Sequence, residues 1–132
     1  MNIPANLLYT KDHEWARVEP DGSVVVGITH FAQQQLGGVV YVELPSEDDE
    51  LGKGDAFGHV ESTKSVSDLF APLSGTVVEA NDLLELQPEL INSDPYGRGW
   101  MVRLTVEEQD QLDELLTPAA YGELVAANGQ AK

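Results

Sequence analysis

A mostly β fold of short strands is what the sequence predicts, and three observations predict it. Twelve Gly and seven Pro are spread through 132 residues, which implies many turns and favours short strands over long helices. β-branched runs recur at residues 23–28 (SVVVGI), 39–44 (VVYVEL), 76–80 (TVVEA) and 100–106 (WMVRLTV). Two of them lie in a weak internal repeat: GGVVYVEL at residues 37–44 echoes SGTVVEAN at 74–81, with Gly38 and Gly75 in matching positions. Two similar half-units in an all-β chain imply a sandwich with approximate two-fold symmetry, with a polar hairpin tip between the halves.

The first clear element is residues 23–28, a buried strand after the turn pair Asp21-Gly22. Thr29 then caps a short helix, HFAQQQL, which Gly37 and Gly38 end. The strand at 39–44 is stopped by Pro45. An acidic loop, SEDDE, follows at 46–50, then a turn at 52–55. Residues 57–61 (FGHVE) and 68–70 (DLF) read as two strands joined by the tip STKSVS, residues 62–67. Pro72 and Gly75 bracket a turn before the strand at 76–80, and Asn81-Asp82 begins a loop. One helical turn is expected at 88–91, a loop at 92–99 and an alternating strand at 100–106. The end differs in kind. Residues 107–116 (EEQDQLDELL) read as a helix with Leu112, Leu115 and Leu116 as its apolar stripe. Pro118 starts a further helical turn or two through Val125, and residues 128–132 are expected to fray. The division is one domain over 1–132: an N-terminal segment at 1–22, a β-sandwich core at 23–106 and a C-terminal helical segment at 107–127.

Seven Lys and Arg against 23 Asp and Glu give a formal net charge of −16. Such a surface repels nucleic-acid phosphates and anionic membranes. It favours solubility and docking into basic clefts on partner proteins. With no Cys, the chain has no disulfide, thiol nucleophile or thiolate metal site. Any sulfur chemistry must arrive on a cofactor. The N-terminus MNIPANLLYT lacks the features of a signal peptide, and no apolar run approaches a membrane span, so a cytoplasmic protein is expected. His13, His30 and His59 lack zinc-site spacing and read as surface or packing residues. Neither a phosphate loop nor a nucleophile elbow is present. The chain offers no complete catalytic site of its own, and neither catalysis nor a metal is expected of it.

Among four Lys, at 11, 53, 64 and 132, Lys64 differs in setting. It stands at a tight hairpin tip between Thr63 and Ser65, with Glu61 and Asp68 at the base. Small polar neighbours leave it open to a modifying enzyme. Its placement at the tip is what makes it modifiable.

The residues around it resemble a known family. ESTKSVSDL at 61–69 is similar to the lipoylation motif of glycine cleavage H proteins, in which the Lys follows Glu-Ser-x and precedes x-x-Ser-Asp. YTKDHEW at 9–15, VGITHFAQQQLG at 26–37, VELP at 42–45, APLSGTVVEAN at 71–81 and LINSDPYGRGWM at 90–101 resemble the other family segments, in family order. Gly38 and His30 stand where many members carry an acid, and the SEDDE loop is more acidic than usual.

The resemblance implies a lipoyl/biotinyl-type barrel-sandwich hybrid with short helices, including a C-terminal one. It implies (R)-lipoate joined by an amide bond to Lys64, within a motif that includes Glu61, Ser62 and Ser67. The implied role is to carry an aminomethyl group from glycine decarboxylase to aminomethyltransferase, and electrons to lipoamide dehydrogenase. A lipoate ligase or octanoyltransferase would attach the arm. In this family the loaded arm swings into a cleft, and the positions matching its carboxylates are Glu14 and Asp68. Trp15 and Trp100 read as core. A relay role toward other lipoyl enzymes uses the same residues. A biotin carrier is disfavoured because no Met flanks Lys64. An unmodified acidic interaction module is the alternative from a different class.

Overall fold

The computed structural model describes residues 3–129. Nine strands among them form two sheets. The larger has the order β1 (Leu8–Tyr9), β2 (Glu14–Val18), β3 (Val24–Ile28), β9 (Val102–Leu104), β8 (Gly75–Ala80) and β5 (Glu50–Leu51). The smaller has the order β4 (Val39–Glu43), β6 (Ala56–Ser62) and β7 (Val66–Phe70). Every pairing is antiparallel. The expected mostly β architecture with short helices holds, as two sheets without a closed ring of pairing among the described residues. The two copies of the weak repeat fall on different sheets, β4 on the smaller and β8 on the larger.

β3 explains why SVVVGI does not alternate. Val24, Val26 and Ile28 enter the main core with Val60, Leu69 and Leu104. Val25 enters a second cluster with Tyr9, Trp15, Phe31, Tyr121 and Val125. The strand is therefore buried on both faces, as a continuous apolar run requires. The second cluster exists because α4 (Pro118–Gly129) packs on β1 and lays Tyr121 against Tyr9, rings stacked at 4.6 Å.

Several boundaries differ from the sequence reading, each for a physical reason. β1 and β2 precede the first strand it expected; their registry with β3 is a long-range constraint, and the pattern HEWARV is short and mixed. The strand expected at 100–106 is Val102–Leu104, because the Asn81 side chain takes the Trp100 carbonyl at 2.7 Å. Within it burial alternates, with Val102 and Leu104 buried and Arg103 half-buried between them, while Met101 just before it is buried too. The helix expected at 107–116 is a 3-10 segment, Gln109–Glu114. It stops because Leu116 exchanges both backbone hydrogen bonds with Tyr9, at 2.7 and 2.9 Å, which holds Leu116 extended. Leu112, Leu115 and Leu116 are only half-buried and are divided between the two clusters. Before it, α2 (Leu83–Leu86) and α3 (Leu90–Ser93) take the place of one turn at 88–91. α4 runs well past Val125. Residues 128 and 129 of the expected frayed tail belong to it, and 130–132 lie outside the described residues. Glu50, expected in the acidic loop, opens β5. Among the described residues no helix is long and apolar enough to cross a membrane.

Trp15 is fully buried and its indole N–H donates to the Pro95 carbonyl at 3.0 Å. Trp100 is half-buried against the same cluster. Trp15 pairs in register with Gly27, and a Cβ on Gly27 would stand 2.7 Å from the indole ring. A small residue opposite a large one lets the strands keep their spacing. Gly27→Ala is expected to destabilise the fold by about 1–3 kcal/mol through overpacking, read as a lower urea midpoint at unchanged m-value.

Candidate functional site

Lys64 stands exposed at the turn joining β6 and β7. Ser62 builds that turn. Its N–H donates to the Ser65 carbonyl at 2.8 Å, and its hydroxyl oxygen accepts the N–H groups of Lys64 and Ser65 at 3.3 and 3.1 Å. The tip is tied to the body of the protein by Thr63 N–H donating to the Gly38 carbonyl at 3.2 Å.

The stem of Lys64 lies over Gly37. A Cβ there would sit 3.4 Å from Lys64 Cε, and Gly37 has φ +83°, a conformation that favours glycine. This glycine closes α1 (His30–Leu36), whose N-terminus is capped by Thr29 accepting from Ala32 N–H, as the sequence implied. Asn92 of α3 fixes the Gly37 segment. Its amide donates to the Gly37 carbonyl and to Gln33 Oε1, each at 2.9 Å, and its oxygen accepts Val39 N–H at 2.8 Å.

Beside the hairpin is a cleft of about 360 Å³. It has three sides. One is the loop carrying Asp12, His13 and Glu14; one is α1, with Phe31, Ala32 and Leu36; the third is β7 with the adjoining Ser65. Ile28, Leu36, Val60 and Leu69 make its wall apolar, while Asp12, Glu14 and Asp68 contribute three carboxylates. An apolar trough with acids along it suits a flexible hydrocarbon chain ending in a cation.

The predicted site residues therefore separate into two groups. Glu14 and Asp68 share the cleft, 54 positions apart in the chain by their numbers. Ser67 also lines it, and its hydroxyl makes only a long contact of 3.5 Å to the Asp68 carbonyl. Lys64 stands next to the rim, because the following residues Ser65 and Val66 are lining residues. Glu61 does not join them; its carboxylate pairs with His59 Nε2 at 3.0 Å. Ser62 is a turn-builder.

Glu14 is 2% exposed. Its Oε2 accepts Phe70 N–H at 3.2 Å and its Oε1 accepts the Thr10 hydroxyl at 2.7 Å. The Thr10 oxygen already accepts the N–H groups of Asp12 and Glu14, at 3.2 and 3.1 Å. Its proton is thus committed to Glu14. Burial pushes the Glu14 carboxyl up to about 7; the bonds from Thr10 and Phe70 oppose that, and the Asp12 charge adds to it. Asp68 is exposed.

His13, read in the sequence as a surface or packing residue, is half-buried and packs at the cleft. It lines the cleft, packs on Phe31 with ring centroids 4.8 Å apart, and places Nδ1 2.8 Å from the Tyr121 hydroxyl. Burial lowers its pKa, against the pull of Asp12, so the ring is neutral at pH 7. Asp12, His13 and Tyr121 were not singled out in the sequence. The first two flank Glu14, the only signal available, and Tyr121 lies 108 residues from its histidine partner.

The chain matches the family model described as Glycine cleavage H-protein over residues 7–128. It is 57% identical over 121 residues to the glycine cleavage system H protein of Magnetococcus marinus, covering 92% of this chain and 86% of that one. To the H protein of Staphylococcus haemolyticus it is 50% identical over 125 residues, covering 95% and 98%. Its fold is similar to the crystal structure of a glycine cleavage system H protein from Mycobacterium marinum. The TM-score is 0.84 and the identity 42%, over 96% of this chain and 99% of that one.

The Glu14 shift carries a sign. Its folded value, about 7, lies above the ordinary glutamate value of 4.5, so the folded state holds the proton more tightly. The contribution to stability is complete below pH 4.5 and is lost as pH rises to about 7, amounting to about 3 kcal/mol at most. Glu14→Gln, compared with the parent by urea unfolding from pH 4.5 to 8, is expected to remove that loss. An identical pH slope in both proteins contradicts the assignment.

Proposed function

The chain belongs to the glycine cleavage H-protein family, the lipoyl carriers of the glycine cleavage system, and on that premise we propose that its arm is a lipoyl group in amide linkage to Lys64. The observation that carries this reading is the geometry of the lysine. It is exposed at a tip braced by Ser62, Thr63 and Gly37, and it adjoins a cleft of matching chemistry.

The residues present fit the group. A cysteine-free chain has no thiol; an attached dithiolane would supply the disulfide that opens as the aminomethyl group is taken up, and the dithiol left after that group departs would give up two electrons. Lys64 is the anchor. Acylation removes its charge and takes the formal net charge of −16 one unit lower. Ser62 and the Gly37 platform keep the anchor in one place while the arm beyond it moves. A tether of this kind holds the cargo at about millimolar effective concentration for each partner. Glu14 and Asp68 hold a cationic amine in the cleft by charge-assisted hydrogen bonds, with Ile28, Leu36 and Leu69 excluding water around it. Entry of a cation favours the ionised Glu14, so docking below about pH 7 releases a proton from that side chain. The chain performs no turnover of its own. It serves glycine decarboxylase, aminomethyltransferase and lipoamide dehydrogenase in turn, after a ligase or octanoyltransferase has attached the arm. The acidic surface suits basic partner clefts and disfavours nucleic acid and anionic membranes. The cytoplasm, where those enzymes work, is the compartment we assign.

Intact and peptide mass spectrometry of protein from its native host grown on glycine is expected to find a lipoyl increment on Lys64 alone. An unmodified Lys64 in cells whose other lipoyl proteins are modified would overturn the reading. In the reconstituted system Lys64→Ala is expected to abolish transfer. Asp68→Asn is expected to shorten the lifetime of the loaded form roughly tenfold or more, as loss of a charge-assisted contact implies.

A further inference from the structure

We propose that Tyr121, on the C-terminal helix and behind the cleft, is a positioning residue that clasps two of the cleft's three sides together. The proposal rests on the reading that the cleft receives the arm. The Tyr121 hydroxyl lies 2.8 Å from Nδ1 of His13 on the loop side and 2.7 Å from Oγ1 of Thr29, which caps the α1 side. The two sides also meet directly, through Thr29 N–H donating to the His13 carbonyl at 3.0 Å and through His13 packing on Phe31.

Three observations make this more than packing. His13 has φ +70°, a left-handed conformation that is strained for a residue with a side chain. Such strain persists only where the surroundings hold the residue, and Tyr121 supplies the polar partner of its ring. Tyr121 is fully buried, so its hydroxyl has no water to exchange with and must keep both partners. A neutral imidazole has one nitrogen protonated, and the hydroxyl at Nδ1 couples that choice to the direction of its own bond with Thr29. A neutral ring beside Asp12, Glu14 and Asp68 leaves the cleft its negative character; a charged one would offset it. The clasp thus sets the placement and the protonation pattern of a cleft-lining side chain from outside the cleft.

Tyr121→Phe removes the hydroxyl and keeps the ring stacked on Tyr9. Thr117→Ala is the control: it removes a hydrogen bond to Ala120 N–H at the start of the same helix, away from the cleft. The first readout is the imidazole ¹⁵N spectrum of His13 in protein without the arm. One tautomer is expected to dominate in the parent and in Thr117→Ala, and a mixture in Tyr121→Phe. The second is the lifetime of the aminomethyl cargo on lipoylated protein. It is expected to fall about five- to tenfold in Tyr121→Phe, the scale of one buried hydrogen bond, and to hold in Thr117→Ala. An unchanged lifetime in Tyr121→Phe, or an equal fall in Thr117→Ala, overturns the proposal. If the parent cargo decays as fast as free aminomethyl-dihydrolipoamide, the docking reading fails instead. The ¹⁵N spectra then decide alone: an unchanged His13 tautomer in Tyr121→Phe overturns the clasp.

Discussion

The hydrogen bond from Phe70 N–H to the buried carboxylate of Glu14 joins the two sheets where the site is built. Glu14 opens β2 of the larger sheet, and Phe70 closes β7, the edge strand that descends from the lysine hairpin. A carboxylate in this position is costly unless donors meet it. Thr10 and the Phe70 amide are those donors, and the Thr10 proton is directed by the two N–H groups its oxygen already accepts. The carboxylate is a polar link that holds the N-terminal loop against the hairpin strand at this point. With it, the loop, α1 and β7 enclose a trough that is apolar along its wall and acidic beside it.

The second requirement of the proposed function is a fixed anchor for a moving arm. Asn92 uses both amide hydrogens and its oxygen at one junction, taking Val39 N–H and donating to Gly37 and Gln33. Gly37 can then take a left-handed turn beneath the Lys64 stem. The same segment receives Thr63 from the hairpin tip. Rigidity at the tip and freedom beyond it are complementary, because a tether raises effective concentration only if its base is held.

Much of this was legible in the sequence where the signal was local. The Thr29 cap, the Gly37 stop, the hairpin around Lys64 and the order of its two strands follow from turn chemistry and short β-branched runs. The lysine motif, read with its companion segments, placed the chain in its family. The long-range features were not legible. That β2 pairs with β3 and brings Glu14 under Phe70 is a matter of register across many residues. That residues 109–114 wind as a 3-10 segment depends on Leu116 pairing with Tyr9 at the other end of the chain. His13 looked ordinary because its hydrogen-bond partner Tyr121 lies 108 residues away, and no local pattern connects the two. Glu61 sits in the motif beside Lys64, yet its carboxylate turns to His59 rather than to the cleft.

The central claim is that a group carried on Lys64 enters the cleft between Glu14 and Asp68. The direct test is the nuclear Overhauser spectrum of lipoylated protein loaded with ¹³C-labelled aminomethyl cargo. The account predicts cross-peaks from the labelled methylene to the side chains of Ile28, Leu36 and Leu69, which line the trough. Cross-peaks only to the tip residues around Lys64, or none at all in a fully loaded sample, would contradict it.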